Sequence, residues 1–390
     1  MDRRHFIKIT GMGLALTTLS SSLIACSDGA TKLDYGWNGP DQSIQDIRLK
    51  LLAYAILSPN PHNKQPWQIR LLDQNSFDLY VDQTRLLPET DPYARQIHIG
   101  QGTFLETLSI AASAHGYQAN IDYFPLGSYS NLTLAELPVA RVTLLPQANI
   151  SRDPLFDYVL TRQSNKRNYD NSLLSPAQKS QLLDWSKSTS GQLTLIDTDA
   201  EQAYLRQMLT QAMQLEVGNK ARDLETIAMF RFNEAEIQQY RDGFGLAHNG
   251  VTGFKKMLAE NFFLDRASTE RDPTEFGKQS VDMAQRITAS TSTFAWLTTQ
   301  HNERIDQVKV GRDYCRLNLM ATAMGLAIHP MSQVLQEYAD MLPLQREFKQ
   351  RFNIPQSNTV QMLIRVGKAP SLSHTPRREV SSLISNIRAC

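Results

Sequence analysis

Leu57-Ser58-Pro59-Asn60-Pro61-His62-Asn63-Lys64-Gln65-Pro66-Trp67 lies between an apolar helical run, residues 47–57, and an apolar strand-like run, residues 67–72. Prolines at 59, 61 and 66 fix φ and favour extended geometry in the residue before each. The stretch therefore reads as a rigid, non-repetitive connection that presents the amides of Asn60, Asn63 and Gln65 in a set direction. Side-chain amides offer both donors and acceptors. A planar heterocycle with alternating N–H and C=O edges needs that mixture. On these residues alone, a Pro-rich turn without a ligand is the other reading.

Outward from this turn, Ser43 is a plausible N-cap for a helix over 44–57. Residues 68–72 and 77–81 read as a hairpin joined by 73–76, followed by a polar loop over 82–100. A helix over 102–115 ends at Gly116, which suits a C′ position. Strands over 119–124 and 139–145 follow.

The plan then recurs. A shift of 209 places Gly102, Leu108, Ala112, Ala114 and Gly116 on Gly311, Leu317, Ala321, Ala323 and Gly325. Each helix precedes a strand-like segment and a β-rich run, 141–145 and 360–366. Small residues along one face let the two helices pack closely. The pattern predicts two tandem pseudo-symmetric halves, 43–150 and 151–390, forming an internal pseudo-dimer. An insertion over 200–301 reads as helices at 201–217, 234–240 and 281–299. It suits either a lid or a packing element.

The second half opens with Thr161-Arg162-Gln163-Ser164-Asn165-Lys166-Arg167. Arginine offers a planar fork to phosphate oxygens, serine a short neutral bond and lysine a point charge. A solvated basic loop is the alternative on spacing alone. His374-Thr375-Pro376-Arg377-Arg378 raises the same choice, between a phosphate contact and an exposed tail turn.

The 390 residues carry a net charge of +1, with 41% apolar and 20% charged residues, which fits a globular protein of one or two domains. Nothing suggests attraction to nucleic acid. Residues 1–25 resemble a twin-arginine export signal, with Arg3, Arg4 and Lys8 before a run too short and polar for a comfortable membrane span. Leu23-Ile24-Ala25-Cys26 looks like a lipoprotein cleavage box, which would lipidate Cys26 and leave 26–42 as a tether. The expected address is the periplasmic side of the cell envelope, lipid-anchored. Cys315 reads as a packed core thiol, and Cys390 receives no role. Serine-nucleophile elbows, paired metal-spaced histidines, phosphate loops and Rossmann glycine sets are absent from the sequence.

Ser58-Pro59-x-x-x-Asn63-x-Gln65-Pro66-Trp67 resembles the signature of the nitroreductase superfamily of FMN proteins. The stretch Asp82-x-x-Arg85-x-x-Pro88-x-x-Asp91-Pro92-x-x-Arg95 is similar to its two-domain, Acg-like branch. The resemblance covers roughly 45–385. Pro61 departs from it, standing where many relatives carry a small hydroxyl residue. It implies an α+β, nitroreductase-like fold of mainly antiparallel sheets flanked by helices. It also implies FMN bound by Ser58, Pro59, Asn60, Asn63 and Gln65 from the first half. From the second half it implies Arg162 and Ser164 at the phosphate end, Lys166 at the N1–O2 edge, and Arg377 or Arg378 at the phosphate. The loop holding Ser332 would lie beside N5. The motifs occur once each, so one FMN per chain is expected. The implied activity is hydride transfer through flavin N5 to an electron-poor acceptor, a nitroaromatic or a quinone. A non-catalytic, flavin-sequestering envelope protein is the alternative. No side chain is assigned as catalytic, because the flavin performs the redox step.

Overall fold

The computed structural model describes residues 36–262 and 264–385. The expected export signal, the expected lipidation of Cys26, most of the expected tether and Cys390 lie outside the described residues.

In chain order the first half runs α1 (Ile47–Ala55), β1 (Trp67–Leu71), β2 (Ser76–Val81), α2 (Arg95–Ala114), β3 (Tyr117–Tyr123) and β4 (Ala140–Pro146). The second runs α3 (Pro176–Ser186), β5 (Gln192–Ile196), α4 (Asp199–Val217), α5 (Lys220–Met229), α6 (Glu234–Tyr240), α7 (Gly253–Phe262), α8 (Arg266–Arg271), α9 (Thr274–Ala289), β6 (Thr293–Thr299), α10 (Arg304–Ala323), β7 (Ala327–Pro330), α11 (Leu342–Arg351) and β8 (Thr359–Gly367). The architecture is α+β, with two antiparallel four-stranded sheets flanked by helices. Their strand orders are β1-β2-β4-β3 and β5-β6-β8-β7, the same path traced twice. The expected hairpin forms with Trp67 opposite Val81.

α2 and α10 begin and end at positions offset by the same 209 residues, and they form the seam between the halves. A Cβ on Gly102 would stand 1.9 Å from the Val308 carbonyl oxygen, and one on Gly311 would stand 2.1 Å from that of Ile99. Each glycine admits the backbone of the other helix, a reciprocal contact of the kind two-fold interfaces make. Arginines at matched positions cross the seam. Arg95 donates to the carbonyls of Leu335 (2.7 Å) and Gln361 (2.9 Å). Arg304 donates to those of Thr133 (2.9 Å) and Ser130 (3.1 Å). Cys315 is buried there, 3.2 Å from the Thr107 hydroxyl, and burial pushes its thiol up to about 12.

Several expectations change. α1 starts at Ile47, capped by Asp46 rather than Ser43. The loop expected over 82–100 is helical from Arg95, because Asp91 accepts from the Gln96 and Ile97 amides and supplies the missing cap. Residues 293–299 are strand, not helix. β6 is central in its sheet and buried along nearly its whole length, so it lacks the alternation that marks a half-exposed strand. The insertion therefore spans 197–292 and joins β5 to β6, two strands of one hairpin. The tether ends earlier than 42, because Trp37 is buried. Among the described residues, no helix is long and apolar enough to cross a membrane.

Candidate functional site

The turn after α1 is tied to α2 along its length. Thr103 Oγ1 donates to the Pro59 carbonyl (2.6 Å) and Gln101 Nε2 to that of Pro66 (2.8 Å). Trp67 Nε1 donates to Gly100 O at 3.2 Å, which fixes where β1 begins. His62, Asn63 and Gln65 all adopt positive φ, at 49°, 53° and 52°. Non-glycine residues there cost roughly 1 kcal/mol or more each. Surrounding bonds hold the conformation: Asn60 Oδ1 accepts the Gln65 amide at 2.8 Å.

The turn and the distant cations meet. Arg162 Nη2 donates to the Leu57 carbonyl at 2.8 Å. Arg377 Nη2 reaches the same oxygen at 3.3 Å and the Ser58 carbonyl at 3.4 Å. Two guanidiniums from opposite ends of the second half thus share one acceptor from the first. Arg162 is 4% exposed and Arg377 2%. Burial, and after it the Arg162 charge, holds Arg377 well below the usual arginine range. Burial also lowers Arg162. Arg162 Nη1, Arg377 Nε and the Ser58 hydroxyl are buried without partners, as is His374 Nε2. Unmet buried donors each cost about 1–3 kcal/mol. Two like charges with unmet donors have the chemistry to accept an anion.

Arg378, the neighbour that sequence did not separate from Arg377, faces elsewhere. Its Nη1 donates to Gln65 O (3.0 Å) and approaches Asp82 at 3.4 Å. Ser164 is exposed, its backbone is bridged to Ile328, and its side chain bonds Tyr314. Ser332 directs its hydroxyl to Leu363 O at 3.4 Å. Neither serine joins the arginine pair.

The expected presentation of free amides needs correction. Asn63 Nδ2 donates to the Gly243 and Pro376 carbonyls, both at 2.9 Å, and its Oδ1 accepts from Arg377 Nη1 at 2.6 Å. Gln65 Nε2 donates to Arg241 O (2.8 Å), and its Oε1 accepts from the Arg378 amide (2.8 Å). Both amides bind the insertion and the C-terminal segment, because burial left those main-chain groups needing partners.

Lys166 defines the other end. It is half-buried, with Nζ 4.0 Å from the Phe244 ring centroid, and burial pushes it down to about 8. His62 lies beside the same ring, 6.0 Å between centroids, with Nδ1 buried and unpartnered. Burial, then the Lys166 and Lys64 charges, pushes it down to about 4, so it is a neutral imidazole. Trp37 and Phe244 were not legible as site residues. A lone tryptophan in a Gly- and Asn-rich stretch was the available signal for the first. Among the described residues, no His, Cys, Asp or Glu cluster could hold a metal.

No family model matches the chain. It is 24% identical over 363 residues to the acg protein of Mycobacterium tuberculosis, provisionally named an NAD(P)H nitroreductase. That similarity covers 90% of this chain and 98% of the relative. An uncharacterized protein of the same organism is 25% identical over 85% of this chain and 90% of its own. These similarities support the relationship to the nitroreductase superfamily drawn from the motifs. Among solved structures, a provisionally named nitroreductase from Anabaena variabilis is 12% identical, with TM-score 0.40, over 80% of this chain and 82% of that one. The nitroreductase NfnB from Mycobacterium smegmatis is 16% identical, with TM-score 0.37, over 60% and 98%.

Proposed function

We propose that the protein is an FMN-dependent oxidoreductase of nitroreductase type. The carrying observation is the buried Arg162–Arg377 pair on one carbonyl, with unmet N–H groups beside the orphan Ser58 hydroxyl. A phosphate monoester supplies the charge and acceptors that this set lacks. Lys166 would favour negative charge at the ring end, and neutral His62 could donate or accept one bond there. FMN, when bound, would supply the hydride transfer to an electron-poor acceptor such as a nitroaromatic or a quinone. The acg relative's name points to NAD(P)H as a donor.

Reconstituting the apoprotein tests this reading. One FMN should bind per chain, and NAD(P)H or a quinol should reduce it with turnover of an acceptor. Colourless protein after FMN addition would refute it, and a ratio near two would refute the single site. A second reading, a flavin-holding protein, draws support from the insertion. Gly243 and Arg241 are bonded to Asn63 and Gln65, and Phe244 covers Lys166. Bound flavin that no donor reduces would favour it. We also place the protein in the cell envelope, lipid-anchored through Cys26. The mature protein should carry a diacylglycerol mass that Cys26→Ser abolishes.

A further inference from the structure

The anion end of the site has a wall that no motif foreshadows. Trp37 is 7% exposed. Its indole lies parallel to the His374 imidazole, with centroids 4.0 Å apart and planes within 13°. Its Nε1 donates to the Thr375 carbonyl at 2.9 Å. The guanidinium carbons of Arg377 and Arg162 lie 5.0 Å and 5.8 Å from its ring centroid. One indole thus touches the segment carrying Arg377 and both cations of the pair. The loop holding it is a tight turn, with Gly39 N–H donating to Gly36 O at 3.1 Å. Both glycines adopt left-handed φ, +91° and +85°. A side chain there would strain the turn that aims the indole.

We propose that Trp37 is a specificity-determining residue of this site, and that its stack on His374 closes the anion end so that the ligand must terminate in a single phosphate. This rests on the FMN reading above. The chemistry is one of valence and room. A terminal phosphate offers three free oxygens to the unpartnered donors Arg162 Nη1, Arg377 Nε and Ser58 Oγ. In a flavin dinucleotide one of those oxygens is the anhydride bridge to a second phosphate, and a whole nucleotide must continue past it. Beside both arginines stands the Trp37–His374 stack, its indole buried and its imidazole half-buried. A large planar side chain rejects such an extension by sterics and leaves a terminal anion unaffected.

Full-length apoprotein, as wild type, Trp37→Ala and Trp37→Phe, would be titrated with FMN and with FAD by quenching of flavin fluorescence. Wild type should prefer FMN by about a hundredfold or more. Trp37→Ala should narrow that preference by about tenfold or more, mainly through tighter FAD binding, while Trp37→Phe keeps most of it. The inference is overturned if Trp37→Ala rejects FAD as wild type does, or loses both flavins in parallel. Should circular dichroism show Trp37→Ala unfolded, Trp37→Leu, smaller yet apolar, faces the same criteria. Wild type that binds both flavins equally sinks the inference alone. Wild type that binds neither sinks the FMN reading as well.

Discussion

Two turns occupy the same place in the two halves and do different work. Residues 56–66 join α1 to β1, and residues 187–191 join α3 to β5. The first holds three non-glycine residues at positive φ and receives Arg162 and Arg377 on its leading carbonyls. The second is short and closes on its own helix, the Ser188 and Thr189 amides donating to the Trp185 and Ser186 carbonyls at 3.2 and 3.3 Å, while the Gly191 amide donates to Asp313 Oδ2 on α10 at 2.8 Å. Among the described residues, no arginine pair donates to its carbonyls as Arg162 and Arg377 do to the first. The scaffold is therefore repeated and the site is not. Sheets and long helices obey symmetry because their shared seam is backbone against backbone. Connections are free to diverge, and the candidate ligand chemistry sits on them.

The largest test strikes the repeated part. Gly102→Val and Gly311→Val should each cost about 4 kcal/mol or more, or abolish folding, because the added carbons meet carbonyls rather than yielding side chains. Thermal unfolding checks this. Matched losses would sharpen the comparison, and indifference at either glycine would break it.

The unrepeated insertion supplies the next. Glu216 on α4 is buried beside Tyr338, and burial pushes its carboxyl up to about 7. A raised carboxyl contributes stability that is full below its unfolded value and is lost as pH rises toward 7. Wild type should thus lose about 3 kcal/mol from this group between roughly pH 4.5 and 7, a loss that Glu216→Gln removes. Asp91 and Asp313 are also raised, each to about 6, so the difference between the two unfolding curves is the informative quantity.

Arg162→Met tests the asymmetric site. FMN affinity should fall about a hundredfold, near 2.7 kcal/mol, while the ligand-free protein keeps its melting temperature. A lower melting temperature with intact affinity would make Arg162 a structural residue. The smallest effects belong to the repeated helix ends. Gly116→Ala and Gly325→Ala find no atom within 4 Å, yet both have positive φ, 78° and 69°. Each should cost about 1 kcal/mol, and equally.

Much of the plan was legible. The 209-residue offset located the seam, and the Pro-Trp turn pointed to the first-half part of the candidate site. Other features were hidden for physical reasons. Arg95 and His98 look like loop residues, but both are buried in the seam with polar partners. Arg377 and Arg378 are adjacent, and only packing decides that one joins Arg162 while the other faces Asp82.

Spacing and periodicity alone determined the duplication and the residue types able to grip an anion, because those depend on local chemistry and repeat length; the α+β class came from the family that the motifs resemble. Only the tertiary structure decided that Asn63 and Gln65 bind protein, that Trp37 covers the cations, and that Arg162 meets Arg377 over one carbonyl. Such pairings join residues more than a hundred positions apart, and their partners are chosen by burial, which no local pattern encodes.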